Sequence, residues 1–169
     1  EYFMLTKNPN VIKWFEEMVA LTKPSNIVWI DGSEEQLDAL RKEAIATGEM
    51  EELNPEKLPG CLLHRTLPND VARVEDRTFI CSRNKEDAGP TNNWCDPQEM
   101  YAKLTPLYDG VMEGRTMYVI PYSMGPIGSE FSKVGVELTD SIYVVLNMHI
   151  MTRMGKDAFK QLGDESNDF

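Results

Sequence analysis

Basic side chains are scarce in this sequence. There are 17 lysines and arginines against 28 aspartates and glutamates, which gives a formal net charge of −11, and acid outnumbers base in both halves of the chain. Nucleic-acid binding needs clustered basic residues that displace the counterions of the phosphate backbone. We therefore expect no nucleic-acid partner.

Long apolar runs are missing as well. No stretch approaches the roughly 18 apolar residues that a membrane helix needs, so we expect no membrane partner. The first five residues have neither the basic flank nor the apolar core that is typical of a secretory leader. Because the chain does not begin with methionine, we expect it to be a piece of a longer protein.

Cysteine and histidine are rare. The three cysteines (Cys61, Cys81 and Cys95) are odd in number and lack C-x-x-C spacing, which indicates free thiols in a reducing compartment and disfavours a zinc site. Cys81 closes an apolar strand and is predicted to pack in the core. Cys95 adjoins a helix start, where an ordinary packed thiol is the favoured interpretation and mild thiol activation the alternative. His64 and His149 fall in no metal-binding pattern, so we interpret both as hydrogen-bonded structural side chains.

A phosphate loop is also lacking. The pattern GxxxxGK followed by serine or threonine does not occur, and Gly155-Lys156-Asp157 has an acid where the hydroxyl should be. Met124 to Ser129 contains two glycines after a predicted strand. We interpret Gly125 and Gly128 as a tight turn between strands.

Hydrophobic residues make up 41% of the sequence and charged residues 27%, the balance of a globular protein. Apolar spacing and end signals predict helices over residues 11–21 (capped by Asn10), 33–48 (with Ser33 and Gln36 as a capping box), 97–105, 141–154 and 157–162. They predict strands over 27–30, 51–53, 61–64, 77–81, 115–122 and 134–138. The third helix carries an apolar face formed by Met100, Tyr101 and Leu104. Because helices and strands alternate without repeats or linkers, we predict an α/β fold, a single mixed-sheet domain with flanking helices over residues 1–169.

Arg73, Glu75 and Arg77 alternate along the chain. In an extended segment they would share one face. Two interpretations follow: an anion clamp, because guanidinium matches a carboxylate or phosphate, or a solvated strand edge with alternating charges. Composition alone favours the solvated edge.

Six strings resemble, in the same order, the GTP-dependent phosphoenolpyruvate carboxykinases. They are DVARVE (70–75), DAGPTNNW (87–94), GRTMYVIP (114–121), SMGP (123–126), ELTDS (137–141) and MTRMG (151–155). The resemblance runs from about residue 10 to residue 163. It implies the N-terminal lobe of such an enzyme, which converts oxaloacetate and GTP to phosphoenolpyruvate, CO2 and GDP in gluconeogenesis.

The resemblance also implies roles for two residues. Arg73 corresponds to an arginine on a mobile loop that binds the substrate carboxylate, which favours the anion-clamp interpretation. Glu75 corresponds to a glutamate that helps the closed loop meet the active-site lid. The sites for GTP and for Mn²⁺ or Mg²⁺ lie later in the family's sequence. The resemblance therefore implies no catalytic, cofactor or metal residue in this chain and no turnover by it alone.

The implied partners are oxaloacetate or phosphoenolpyruvate and the C-terminal catalytic part of the same enzyme. We expect the parent to be a monomer and cytoplasmic, with a mitochondrial form left open. The alternative from another class is an acidic α/β binding or interaction module with no catalytic role.

Overall fold

The computed structural model describes residues 4–70 and 73–169. The α-helices of this part of the chain are α1 (Pro9–Thr22), α2 (Glu34–Thr47), α3 (Pro97–Tyr108), α4 (Ile142–Met151) and α5 (Asp157–Leu162). The strands are β1 (Asn26–Trp29), β2 (Glu51–Glu52), β3 (Leu62–Leu63), β4 (Phe79–Ile80), β5 (Asn93–Trp94), β6 (Thr116–Met124), β7 (Lys133–Thr139) and β8 (Arg153–Met154). No helix within these residues is long and apolar enough to span a membrane.

Strand β6 holds the main sheet together. Strand β1 runs parallel to it, with Asn26 opposite Thr116, while β7 and β8 run antiparallel to it. The two remaining pairs, β2 with β3 and β4 with β5, lie outside this sheet. Helices and a mixed sheet confirm the predicted α/β fold class.

Both faces of β6 are covered. Tyr118 and Ile120 lie in a core with residues of α2 and α4, whereas Met117 and Val119 lie in a second core with residues of α1 and α5. This follows from the alternation of side chains across a strand. A run of apolar residues without polar alternation is therefore what a strand between two helical layers requires.

The N-terminal cap of α2 is the predicted residue, whereas the cap of α1 is a different one. Ser33 accepts a hydrogen bond from the Gln36 N–H, as predicted, but the Gln36 side chain accepts from the Asp31 N–H instead of closing the box onto Ser33. The cap of α1 is Asn8, two residues before the predicted Asn10. Asn8 also donates to the carbonyl oxygen of Gly163, 2.8 Å away, so tertiary contact decides which asparagine serves as the cap.

Two glycines let β1 and β8 approach closely at their ends. A Cβ on Gly32 would lie 2.6 Å from the Met154 carbonyl oxygen, and one on Gly155 would lie 2.6 Å from that of Asp31. Both glycines have positive φ. Side chains at either position would force these backbones apart.

Two predicted features are wrong. The strand expected over residues 77–81 is reduced to Phe79–Ile80 and follows a one-turn 3₁₀ helix, Glu75–Arg77, so Arg73, Glu75 and Arg77 do not share an extended face. Helix α3 continues past Pro106, and Tyr101 and Leu104 on its predicted apolar face are exposed. Helical spacing finds an apolar stripe, but it does not say whether another element covers it.

Tyr118 generates a prediction about alkaline pH. Burial, helped by the carboxylates of Glu43 and Glu49, raises the pKa of Tyr118 to about 12, against about 10 in an unfolded chain. Between these values the unfolded chain loses the phenolic proton while the folded chain keeps it. The free energy of unfolding should therefore fall by roughly 2–3 kcal/mol as the pH rises from about 10 to about 12.

Urea unfolding at several alkaline pH values measures this slope. Tyr118→Phe should make the free energy of unfolding fall less steeply with pH, because phenylalanine has no phenolic proton to lose. Tyr101→Phe is the matched control, since Tyr101 is 73% exposed and should leave the slope unchanged. Equal slopes in Tyr118→Phe and the unaltered chain would contradict the role of Tyr118.

Candidate functional site

Arg73 lies on the surface at an open cavity of about 470 Å³. The cavity is lined by Arg73, Val74, Glu75, Asp76, Thr78, Thr91, Asn92 and Asn93. Two stretches far apart in the chain thus form its walls. Val71 and Ala72, which belong to the same sequence string as Arg73, lie outside the described residues.

A compact turn follows Arg73. The Arg77 N–H donates to the Val74 carbonyl oxygen at 2.9 Å, and the Thr78 hydroxyl donates to the same oxygen at 2.8 Å. The 3₁₀ helix between them turns the chain before β4 begins. These local bonds fix the short segment that carries Glu75 and leads away from Arg73.

Asn93 fastens this turn to the opposite wall. Its side-chain amide donates to the carbonyl oxygens of Glu75, at 2.7 Å, and Thr78, at 3.2 Å. Strand β5, which begins at Asn93, pairs in parallel with β4. Asn93 therefore connects segments 18 residues apart. Residue types alone did not point to it; the only signal was its place in the DAGPTNNW string.

The loop between the two walls has its own anchors. The Trp94 indole N–H donates to the Ser82 carbonyl oxygen at 2.9 Å, and the Asn92 amide donates to that of Ala88 at 2.8 Å. Ala88 is buried at the end of a 3₁₀ turn, Lys85–Ala88. Backbone carbonyls held by side-chain amides give this irregular region a defined shape.

The charges around the cavity are mixed. Arg73 is exposed, and none of the ion pairs formed within residues 4–70 and 73–169 involves it. Two carboxylates, Glu75 and Asp76, line the same cavity. The Arg73 guanidinium is thus available to an anion, but the negative charges of Glu75 and Asp76 at the same cavity disfavour anion binding. A strong anion site would need further cations from another part of a protein.

The two histidines lie away from the cavity. His64 Nδ1 is 2.8 Å from the Glu49 carbonyl oxygen, and its ring stacks on Tyr143 with centroids 4.0 Å apart. His149 Nε2 is 3.9 Å from a Glu34 carboxylate oxygen. For His64 this confirms the predicted structural role. Across the residues that the structure describes, no three or more His, Cys, Asp or Glu side chains come together as a metal site.

The prediction for Cys81 is wrong, whereas the favoured interpretation of Cys95, an unactivated thiol, agrees with the structure. Cys81 is exposed, because β4 is only two residues long and is itself exposed, so Cys81 does not pack in the core. Partial burial, followed by the negative charges of Glu99, Cys81 and Asp96, raises the pKa of Cys95. A raised pKa leaves less thiolate, so the helix start does not activate Cys95.

The glycine string after β6 forms a turn, as predicted. Strand β6 ends at Met124 and β7, its antiparallel partner, begins at Lys133. Gly125 and Gly128 in the connection have φ of +93° and +89°, a region that favours glycine. The turn is part of a hairpin and not a phosphate loop.

The fold and this cavity define a class: an α/β domain that presents an arginine-bearing surface loop braced by side-chain amides. Residues 13–169 match the family model of the phosphoenolpyruvate carboxykinase N-terminal domain. The chain belongs to this family.

Curated relatives agree with the family assignment. The chain is 54% identical over 164 residues to the phosphoenolpyruvate carboxykinase (GTP) of Anaeromyxobacter dehalogenans, which covers 97% of this chain and 27% of that enzyme. It is 53% identical over 159 residues to the enzyme of the same name from Corynebacterium efficiens, covering 94% and 26%. The chain therefore spans about a quarter of the length of these relatives.

The bracing role of Asn93 can be tested directly. In Asn93→Ala the carbonyl oxygens of Glu75 and Thr78 lose their side-chain donor, which should weaken the turn by about 1–2 kcal/mol. Amide hydrogen exchange at Arg77 and Thr78 should accelerate by roughly tenfold. The overall unfolding transition should change little, because the turn lies outside both cores.

Asn92→Ala is the matched control. It removes an adjacent asparagine amide whose bond goes to Ala88 instead. Exchange at Arg77 and Thr78 should stay at the level of the unaltered chain. Equal acceleration in both variants would show that Asn93 has no specific bracing role.

Proposed function

We propose that this chain is the N-terminal part of an enzyme that converts oxaloacetate and GTP to phosphoenolpyruvate, CO2 and GDP. Membership of the N-terminal domain family and relatives named phosphoenolpyruvate carboxykinase (GTP) support it. The observation that carries the proposal is Arg73, exposed at the mouth of a braced cavity and engaged in no ion pair of the described residues.

In this proposal Arg73 binds the carboxylate of oxaloacetate or phosphoenolpyruvate. A guanidinium offers parallel N–H donors that match both oxygens of a carboxylate, so it fixes orientation as well as position. The task of Arg73 is to hold the substrate for groups supplied by the rest of the enzyme. Holding a reactant in the productive geometry lowers the barrier without chemistry by the holding residue.

Glu75 has a different proposed role. Its side chain is exposed, while its backbone carbonyl oxygen is held by Asn93. Because the backbone of Glu75 is held in place while its carboxylate is exposed, this residue is suited to contact another element. We assign that element to the active-site lid in the C-terminal part, which would couple loop closure to substrate binding.

GTP and a divalent metal are assigned to the C-terminal part as well. The residues described here contain no group of three or more metal-binding side chains, so they do not fit a Mn²⁺ or Mg²⁺ site. The chain alone should not turn over, and a monomeric, cytoplasmic parent stays a prediction.

Arg73→Ala in the full-length enzyme tests the substrate role. Removing a charge-assisted, two-pronged contact should lower kcat/KM for oxaloacetate and phosphoenolpyruvate by about ten- to a hundredfold, equivalent to roughly 1.5–3 kcal/mol. Affinity for GTP should stay the same. Arg73→Lys should recover only part of the loss, because an ammonium group lacks the planar fork.

Arg77→Ala is the matched control for charge. It removes the same charge four residues away, from a side chain that does not line the cavity. Steady-state kinetics of this variant should resemble those of the unaltered enzyme. If Arg73→Ala and Arg77→Ala behave alike, the assignment of the substrate carboxylate to Arg73 is wrong.

The isolated chain should bind phosphoenolpyruvate weakly. One contact worth roughly 1.5–3 kcal/mol falls short of the about 4 kcal/mol that a 1 mM Kd represents, before any ordering cost. Glu75 and Asp76 oppose the anion further. Isothermal titration calorimetry should give a Kd weaker than about 1 mM. Micromolar binding that Arg73→Ala abolishes would mean that this chain holds a more complete site than we propose.

A further inference from the structure

The pairing of β4 with β5 brings two cysteines close together. Phe79 lies opposite Asn93 and Ile80 opposite Trp94, in parallel register. The Cys95 N–H donates to the Ile80 carbonyl oxygen at 3.2 Å, the bond that completes the Ile80–Trp94 pair. Cys81 and Cys95 directly follow this last pair on their two strands, although a 3₁₀ turn and a loop separate them in sequence.

This placement suits a disulfide. Neighbouring strands lie about 4.8 Å apart, and the Cα atoms of disulfide-bonded cysteines are usually about 4.4–6.8 Å apart. Side chains at one register position point to the same face of a strand pair. Cys81 and Cys95 each follow the last paired residue of their strand, so their placement is compatible with a disulfide.

The surroundings of the two thiols agree with this proximity. Partial burial is the main cause that raises the pKa of Cys95, and the charges of Glu99, Cys81 and Asp96 add to it, while Lys103 opposes them. Cys81 is exposed to reagents and Cys95 is half-buried. Cys81 is therefore the thiol that reacts first with a reagent in solution. Cys95 is the thiol that then reacts with the modified Cys81 of the same chain.

We infer that Cys81 and Cys95 form a vicinal dithiol that a low-molecular-weight disulfide oxidises to an intramolecular disulfide. The Cys81 thiolate attacks one sulfur of the reagent, the reagent's S–S bond breaks, and one thiol leaves. The Cys95 thiolate then attacks the Cys81 sulfur of the mixed disulfide and expels the second thiol. Two protein thiols are oxidised, one reagent disulfide is reduced to two thiols, and the two protons pass to the leaving thiolates.

The cross-link would close the segment from residue 81 to residue 95. That segment carries the Lys85–Ala88 turn and ends beside Asn93, which braces the turn after Arg73. Oxidation would therefore tie together the two strands that support the cavity. This inference rests on the strand register and does not depend on the proposed enzymatic function.

Oxidised glutathione is the probe for the experiment. The 169-residue chain is incubated with it at mildly alkaline pH and low protein concentration, the remaining thiols are alkylated, and the chain is digested without reduction. Trypsin cuts after Arg77, Arg83, Lys85 and Lys103, so Cys81 and Cys95 fall in different peptides. We expect one species in which these peptides are joined, with the mass of two hydrogen atoms missing, and Cys61 alkylated.

Two variants keep the result decisive. Cys95→Ser should stop at a glutathione adduct on Cys81, whereas Cys61→Ser should form the cross-link as the unaltered chain does. Cross-links that involve Cys61 in comparable yield would overturn the inference. So would glutathione adducts that accumulate on Cys81 and Cys95 of the unaltered chain without the joined peptide.

Discussion

The burial of β6 on both faces is the constraint on which the rest of this domain depends. Met117 and Val119 turn to one core, Tyr118 and Ile120 to the other, and all four are almost fully buried. The same strand supplies hydrogen bonds to β1, β7 and β8. Each helical layer covers one side of a single backbone, so the two cores are coupled through it.

The Arg73 cavity is built on a different principle. Its walls are a 3₁₀ turn and a two-residue strand, and side-chain amides hold them together instead of apolar burial. Exposed hydrogen bonds give less stability than a buried core. A sheet buried on both faces combined with a lightly braced loop separates the fixed part of the domain from the part that, in the proposed function, meets a ligand.

The charges around the cavity fit a domain that supplies only part of an anion-binding site. Arg73 shares its cavity with two acidic residues of its own chain, and the whole sequence carries a net charge of −11. A dianionic substrate would find only one favourable partner here. The chain belongs to the family of the N-terminal domain and spans about a quarter of its relatives' length, and in the proposed function the remaining groups that hold such a substrate lie outside this chain.

The sequence by itself determined strands β1, β6 and β7 of the main sheet and most of the helices, whereas β8 lies within the helix predicted over residues 141–154. The apolar run 117–120, the Ser33 cap and the glycines after Met124 act through local backbone preferences or burial on both faces, and each appears as predicted. The alternation of Arg73, Glu75 and Arg77 raised the anion clamp as one interpretation, but only the family strings favoured it over a solvated strand edge. Only the tertiary structure decided that Asn8 caps α1, that Arg73 and Arg77 flank a turn, that Tyr101 stays exposed and that Cys81 and Cys95 follow paired residues of β4 and β5. Each of these depends on a contact between residues distant in sequence, or on the lack of a covering element, and neither is encoded in local spacing.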